Sequence, residues 1–111
     1  MFNNAPGPAY AAAEAVLAHC ELVIEAVAEQ CVGVKLQVAC FERLGAPGWA
    51  ALHRAARAAR ERELLVIADA KRGDIAVTAA AYAQAFFGGT STPFGPCAQV
   101  RCPSVKAVSR S

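Results

Sequence analysis

Three charged residues follow one another closely in the stretch LLVIADAKRGDIAVT, Leu64 to Thr78: Asp69, Lys71 and Asp74, with Gly73 supplying a tight turn. Two carboxylates flanking one ammonium favour its charged form. Such a lysine is a poor Schiff-base nucleophile, because it stays protonated, and a good positioned proton donor. Charges that follow a buried strand are often only solvated loop residues. That reading weakens where three alternating charges stand within six residues of an otherwise apolar run. A fourth charge, Lys35 in VGVKLQV, is a candidate to join them.

The elements that must position these groups can be read from the pattern. Leu64 to Ala68 has the length and composition of a buried parallel strand. Side chains alternate along a strand, so Leu65, Ile67, Asp69 and Lys71 share a face, and Asp74 lies past the strand end in a loop or helix start. The C-terminal end of a strand is where parallel α/β folds place their chemistry. Val32 to Val38 reads as the preceding strand, with Val34, Leu36 and Val38 on one face and Gly33, Lys35 and Gln37 on the other. A lone strand lysine is usually an edge residue reaching for water. Beside the next strand, Lys35 becomes the fourth member of a Lys35–Asp69–Lys71–Asp74 network.

Helices surround these strands. From Tyr10 to Glu29, Ala13, Leu17, Cys20, Ile24 and Val27 recur at three- and four-residue steps, with Glu14, Glu21, Glu25 and Glu29 well around from that stripe. Gly45-Ala46-Pro47-Gly48 is a turn into a second helix, through about Arg62, that buries Leu52, Ala55, Ala56 and Ala59 and exposes His53, Arg54, Arg57, Arg60 and Arg62. Trp49 and His53 are expected to pack at helix edges. Ile75 to Phe87 is a third helix, stopped by Gly88-Gly89. The remainder, TSTPFGPCAQVRCPSVKAVSRS, has no strand or helix period and many breakers, and is expected to be irregular or disordered.

Asp69-Ala-Lys71-Arg-Gly-Asp74-Ile75-x-x-Thr78 resembles the active-site signature of the orotidine 5′-phosphate decarboxylases. The match comprises the Asp-x-Lys-x-x-Asp core, the Arg-Gly within it, the Ile after it and the Thr four beyond the second Asp. Upstream, VGVKLQVACFERLGAPG resembles the preceding strand and turn of that family. The resemblance runs from about Leu17 to Phe94. It departs where related sequences often have Pro in place of Leu36, and Ile-Gly-x-Thr in place of Ile75-Ala76-Val77-Thr78. The family's first-strand aspartate and late-barrel phosphate-binding Gly and Arg have no counterpart here.

The resemblance implies an α/β fold, a partial (β/α)8 TIM barrel of about two strands with three helices and a disordered C-terminal tail. It divides the chain into a flexible N-terminus (1–9), a partial barrel domain (10–89) and an irregular tail (90–111). A complete barrel needs about 250 residues; this chain has 111. The abrupt change of character near Phe94 to Cys97 is what a single-base slip in the coding DNA would produce, so a fragment, inactive on its own, is expected. The implied reaction is decarboxylation of orotidine 5′-phosphate to UMP and CO2 in de novo pyrimidine biosynthesis, with no metal and no cofactor. Lys71, Asp69 and Asp74 are the implied catalytic residues and Lys35, Ile75 and Thr78 the implied substrate-binding ones. Asp74, Ile75 and Thr78 are expected to reach into the neighbouring subunit's site of a homodimer. Two alternatives stay open: a magnesium-dependent sugar-phosphate decarboxylase or aldolase sharing Asp-x-Lys-x-x-Asp, and a non-catalytic fragment.

Composition excludes several other classes. The chain is 56% hydrophobic and 18% charged with a net charge of +2, neither disordered by composition nor strongly polyanion-seeking. Met1 to Pro8 lacks the basic and apolar regions of a signal peptide. The regularly placed acids of the first helix argue against a membrane span and against membrane-surface binding. The basic run of the second helix lacks the aromatic interleaving of a nucleic-acid surface. The five cysteines, at 20, 31, 40, 97 and 102, have no metal-site spacing, and their odd number without a secretion signal suggests reduced thiols in the cytoplasm.

Overall fold

A parallel pair of strands forms the centre of the computed structural model, which describes residues 7–72, 75–97 and 104–107. Strand β1 (Gly33–Gln37) lies beside β2 (Leu65–Ala70), with Val34 opposite Val66, Lys35 opposite Ile67 and Gln37 opposite Asp69. One face of the pair carries Val34 and Leu36 together with Val66, Ala68 and Ala70, of which all but Val34 are buried. This is the face the helices cover. The other face carries Lys35, Gln37, Ile67 and Asp69, as the alternation predicts.

Helix α1 (Pro8–Val27) begins two residues earlier than its apolar stripe suggests, with Gly7 at the N-cap and Pro8 in the first turn, where a missing N–H costs nothing. Its stripe is buried at Ala13, Leu17 and Ile24. A short helix, α2 (Val38–Glu42), follows β1 directly and buries Val38 and Phe41. Helix α3 (Ala46–Glu61) buries Gly48, Ala51, Leu52, Ala55, Ala56 and Ala59 against β1, β2, α1 and α2. Small residues on this face let the elements approach closely. A Cβ on Gly48 would lie 1.9 Å from the Phe41 carbonyl oxygen.

The end of α3 is locally encoded. Glu63 adopts the left-handed conformation at φ 62°, its N–H bonds to the Arg60 carbonyl, and the Leu64 N–H reaches back to the Ala59 carbonyl. This is the paired hydrogen-bond pattern of a Schellman stop, with buried Leu64 as its apolar seal, and it turns the chain straight into β2. Arg54 and Arg57 are exposed as expected, but two arginines of this basic run have carboxylate partners. Arg54 pairs with Glu14 at 3.0 Å and Arg62 with Glu25, so the basic face of α3 is tied to the acidic face of α1. His53 is half-buried; burial, then the nearby Arg57 and Arg60 charges, push its pKa down.

Helix α4 (Ala76–Ala83) continues into a wider π-helical turn, Gln84–Gly88, which ends at Gly89 with φ 92°. Phe86 in this turn is buried and tilted against Trp49, with ring centroids 6.4 Å apart.

The expectation of a tail without strands needs correction. Thr90–Thr92 (β3) and Gly95–Cys97 (β4) form a small antiparallel hairpin. Ser104–Ala107 (β5) pairs in parallel with the far edge of β2, so the main sheet has the order β1-β2-β5. Four residues following a proline carry too little periodicity to be read as a strand. What recruits them is the row of unpaired backbone groups along β2. Residues 1–6, most of the expected flexible N-terminus, lie outside the described residues, as does Cys102. No disulfide links the described cysteines, and no described helix is long and apolar enough to cross a membrane.

Candidate active site

The second strand extends to Ala70, so Asp69 belongs to the sheet itself. Its side chain is only 6% exposed. A buried carboxylate needs partners to offset its lost hydration. Asp69 has two: Lys71 Nζ lies 3.2 Å from Oδ1, and Lys35 Nζ lies 3.4 Å from Oδ2. Lys35 comes from β1 and Lys71 from the turn just past β2. Gln37 stands opposite Asp69, so Lys35, two residues earlier, is its diagonal neighbour on the same face.

The electrostatics follow from this fork. The hydrogen bond from Lys71 holds the Asp69 carboxyl below the usual carboxylate range; burial opposes that shift, and the charge of Lys71 and the Lys35 ammonium add to it. Both lysine side chains are more than half exposed, 52% for Lys35 and 59% for Lys71, whereas the carboxylate beneath them is covered. Among the described residues the cluster holds one anion between two cations, a net positive charge facing outward that suits an anionic small molecule. Lys71 can donate a proton, and Asp69 holds its ammonium in place.

The structure thus brings together Lys35, Asp69 and Lys71. Asp74, the second carboxylate expected beside Lys71, lies outside the described residues. Ile75 and Thr78 stand on a separate element: Ile75 caps the start of α4, with 70% of its surface exposed, and Thr78 is half-buried in the first turn. Two neighbours of the cluster had no assigned role in the sequence. Gln37 shares its face and contacts the Cys40 thiol at 3.4 Å; aligning the two strands by their apolar residues would have placed it there. Arg72 stands directly after Lys71 and pairs with Glu42 at 3.1 Å, a partner that no local pattern indicates. Among the described residues, no group of three His, Cys, Asp or Glu side chains is arranged to hold a metal ion.

A curated orotidine 5′-phosphate decarboxylase of Deinococcus radiodurans is 53% identical over 68 residues, which cover 61% of this chain and 25% of that protein. Its counterpart in Corynebacterium glutamicum is 47% identical over 68 residues, 61% of this chain and 24% of its own length. The chain therefore spans about a quarter of the length of these relatives. Among solved structures, Leishmania donovani OMP decarboxylase superposes with a TM-score of 0.64 at 45% identity, over 68% of this chain and 30% of that one. Leishmania donovani UMP synthase superposes equally well, over 17% of its length. These relatives are barrel enzymes in which this segment is a portion of the (β/α)8 fold. The profile of the orotidine 5′-phosphate decarboxylase / HUMPS family matches residues 14–92, which include β1, β2 and the Lys35–Asp69–Lys71 cluster, and the chain belongs to that family.

Proposed function

We propose that this chain carries the proton-donating strand end of an orotidine 5′-phosphate decarboxylase, converting orotidine 5′-phosphate to UMP and CO2. The observation that carries the proposal is the buried Asp69 carboxylate forked between Lys71 and Lys35 at a parallel-strand end, inside residues 14–92 that the family profile matches.

Loss of CO2 breaks the bond between the pyrimidine ring carbon and its carboxylate and leaves the electron pair on that carbon, with no conjugated sink. The protein must stabilise that charge and supply a proton there. Lys71 suits both tasks: its ammonium faces the developing carbanion and then transfers a proton to it, and solvent reprotonates the amine. Asp69 keeps Lys71 aligned and, as a fixed anion, disfavours the substrate's carboxylate next to it, a contribution smaller than the preorganised charge around Lys71. Lys35 orients Asp69 from the neighbouring strand and offers a second cation to the ribose hydroxyls. The step requires no metal or cofactor. In this reading Asp74, Ile75 and Thr78 serve the adjoining subunit of a cytoplasmic homodimer.

The test is decarboxylation, followed by UMP formation, in the protein carrying this chain. Replacing Lys71 by Ala removes the donor and is expected to lower kcat by about 10³-fold or more while UMP binding by calorimetry persists. Turnover within tenfold of the parent would show that Lys71 is not the donor.

A further inference from the structure

Arg72 is the one charged side chain of the Lys71 turn that the chemistry above leaves unused, and it is more firmly seated than Lys71. Its Nη2 lies 3.1 Å from Glu42 Oε2 at the end of α2. Its guanidinium carbon lies 5.2 Å from the ring centroid of Tyr82 and 5.9 Å from that of Phe86. Nη1 donates to the Lys71 carbonyl at 3.4 Å, and the Arg72 backbone N–H donates to the Ala70 carbonyl at 3.1 Å. Only 19% of the Arg72 side chain is exposed, against 59% for Lys71.

The contrast between these neighbours is informative. Lys71 is more than half exposed and, among the described residues, its ammonium is held by Asp69. Arg72 is held by an ion pair and two aromatic faces, and Phe86 is itself buried against Trp49. A planar guanidinium can pair edge-on with a carboxylate while its face stacks on a ring, which a lysine ammonium cannot do. The same side chain bonds the carbonyl of the residue whose ammonium must stay on target.

We propose that Arg72 is a positioning residue: clamped between Glu42 and the Tyr82 and Phe86 rings, it fixes the backbone of Lys71 so that the Lys71 ammonium stays on Asp69. Its consequence for turnover rests on the reading of Lys71 as the proton donor; its consequence for the Lys71–Asp69 contact does not. Three elements meet in this clamp, the end of α2, the turn after β2 and the α4 region, and its members Glu42, Arg72, Tyr82 and Phe86 take no part in the proposed proton transfer.

The Asp69 side-chain carboxyl, titrated by carbon NMR in the chain, reports the contact directly. Glu42→Gln separates positioning from simple charge. Removing a negative charge can only lower the Asp69 pKa or leave it unmoved, whereas releasing the clamp loosens Lys71 and raises it. We expect Glu42→Gln and Arg72→Gln to raise it by about half a unit or more and Arg72→Lys to recover only part of the shift. Tyr82→Leu, which keeps every charge, is expected to act in the same direction, and far-UV circular dichroism confirms that each variant is folded. Kinetics on the protein carrying the chain supply the second readout: Glu42→Gln should lower kcat about tenfold with KM within about twofold. An Asp69 pKa unmoved or lowered in folded Glu42→Gln and Tyr82→Leu overturns the inference, whatever the kinetics. A raised pKa in a protein that makes no UMP sustains the clamp and overturns the decarboxylase reading.

Discussion

Replacing Gly48 by Ala tests the packing that holds the site's scaffold together. Gly48 lies in the first turn of α3, where that helix crosses α2. An added Cβ would stand 1.9 Å from the Phe41 carbonyl oxygen, 2.8 Å from Leu44 Cβ and 2.9 Å from the Phe41 carbonyl carbon. Real Cβ atoms hardly ever come within 3.0 Å of another heavy atom, so the α2 backbone must retreat by about 1 Å. The obstacle is backbone and the side chain of Phe41 is buried, so no rotamer change relieves it. Overpacking typically costs about 1–3 kcal/mol, and a clash with backbone puts Gly48→Ala at the upper end, about 3 kcal/mol. The better helix propensity of Ala returns up to about 1 kcal/mol. The net loss is therefore about 2 kcal/mol, close to 30-fold in the folding equilibrium. With a urea slope near 1.5 kcal/mol/M, the midpoint should fall by about 1.3 M. Trp49, the single tryptophan and the next residue in the chain, reports the transition by fluorescence, and far-UV circular dichroism checks it independently. Ala50→Gly, on the exposed side of the same helix, calibrates the propensity term. A midpoint unchanged or raised in Gly48→Ala would refute the close-approach argument.

Leu52 is fully buried, and Leu52→Ala should cost about 3 kcal/mol by the same urea assay. Glu63→Gly should stabilise the chain by about 1 kcal/mol, since a left-handed backbone at φ 62° strains any residue with a Cβ; a loss of stability would contradict the Schellman assignment. The Asp69 pKa is lowered on folding, so its contribution to stability is complete above its unfolded value near about pH 4 and disappears as pH falls through the folded value. Asp69→Asn should flatten that acid limb in pH-dependent melting, and an unchanged limb would place the dependence elsewhere. For the proposed shared site, mixing Lys71→Ala and Asp74→Ala proteins should recover activity approaching one intact site per heterodimer, with mixed dimers verified by native mass spectrometry. No recovery would refute sharing.

Local pattern determined which residues face which way. Alternation along VGVKLQV put Lys35 opposite Val34, Leu36 and Val38, alternation along LLVIADAK put Asp69 on the face of Leu65 and Ile67, and the structure keeps both strand residues on one face. Helical spacing likewise determined the buried stripes of α1 and α3, because periodicity is a property of each segment alone. Tertiary structure decided what those faces meet. The register of β1 on β2 made Lys35 the diagonal neighbour of Asp69, and a slip by one residue would have turned it to the helical side. The arginines of α3 read as a solvated face because their acidic partners lie on α1, some 40 residues away for Arg54 and Glu14. The strand 104–107 exists because β2 has an edge to fill, and the Arg72 clamp because α2 and α4 converge on one side chain. Each of these depends on residues distant in sequence, whose meeting is set by how the whole chain packs.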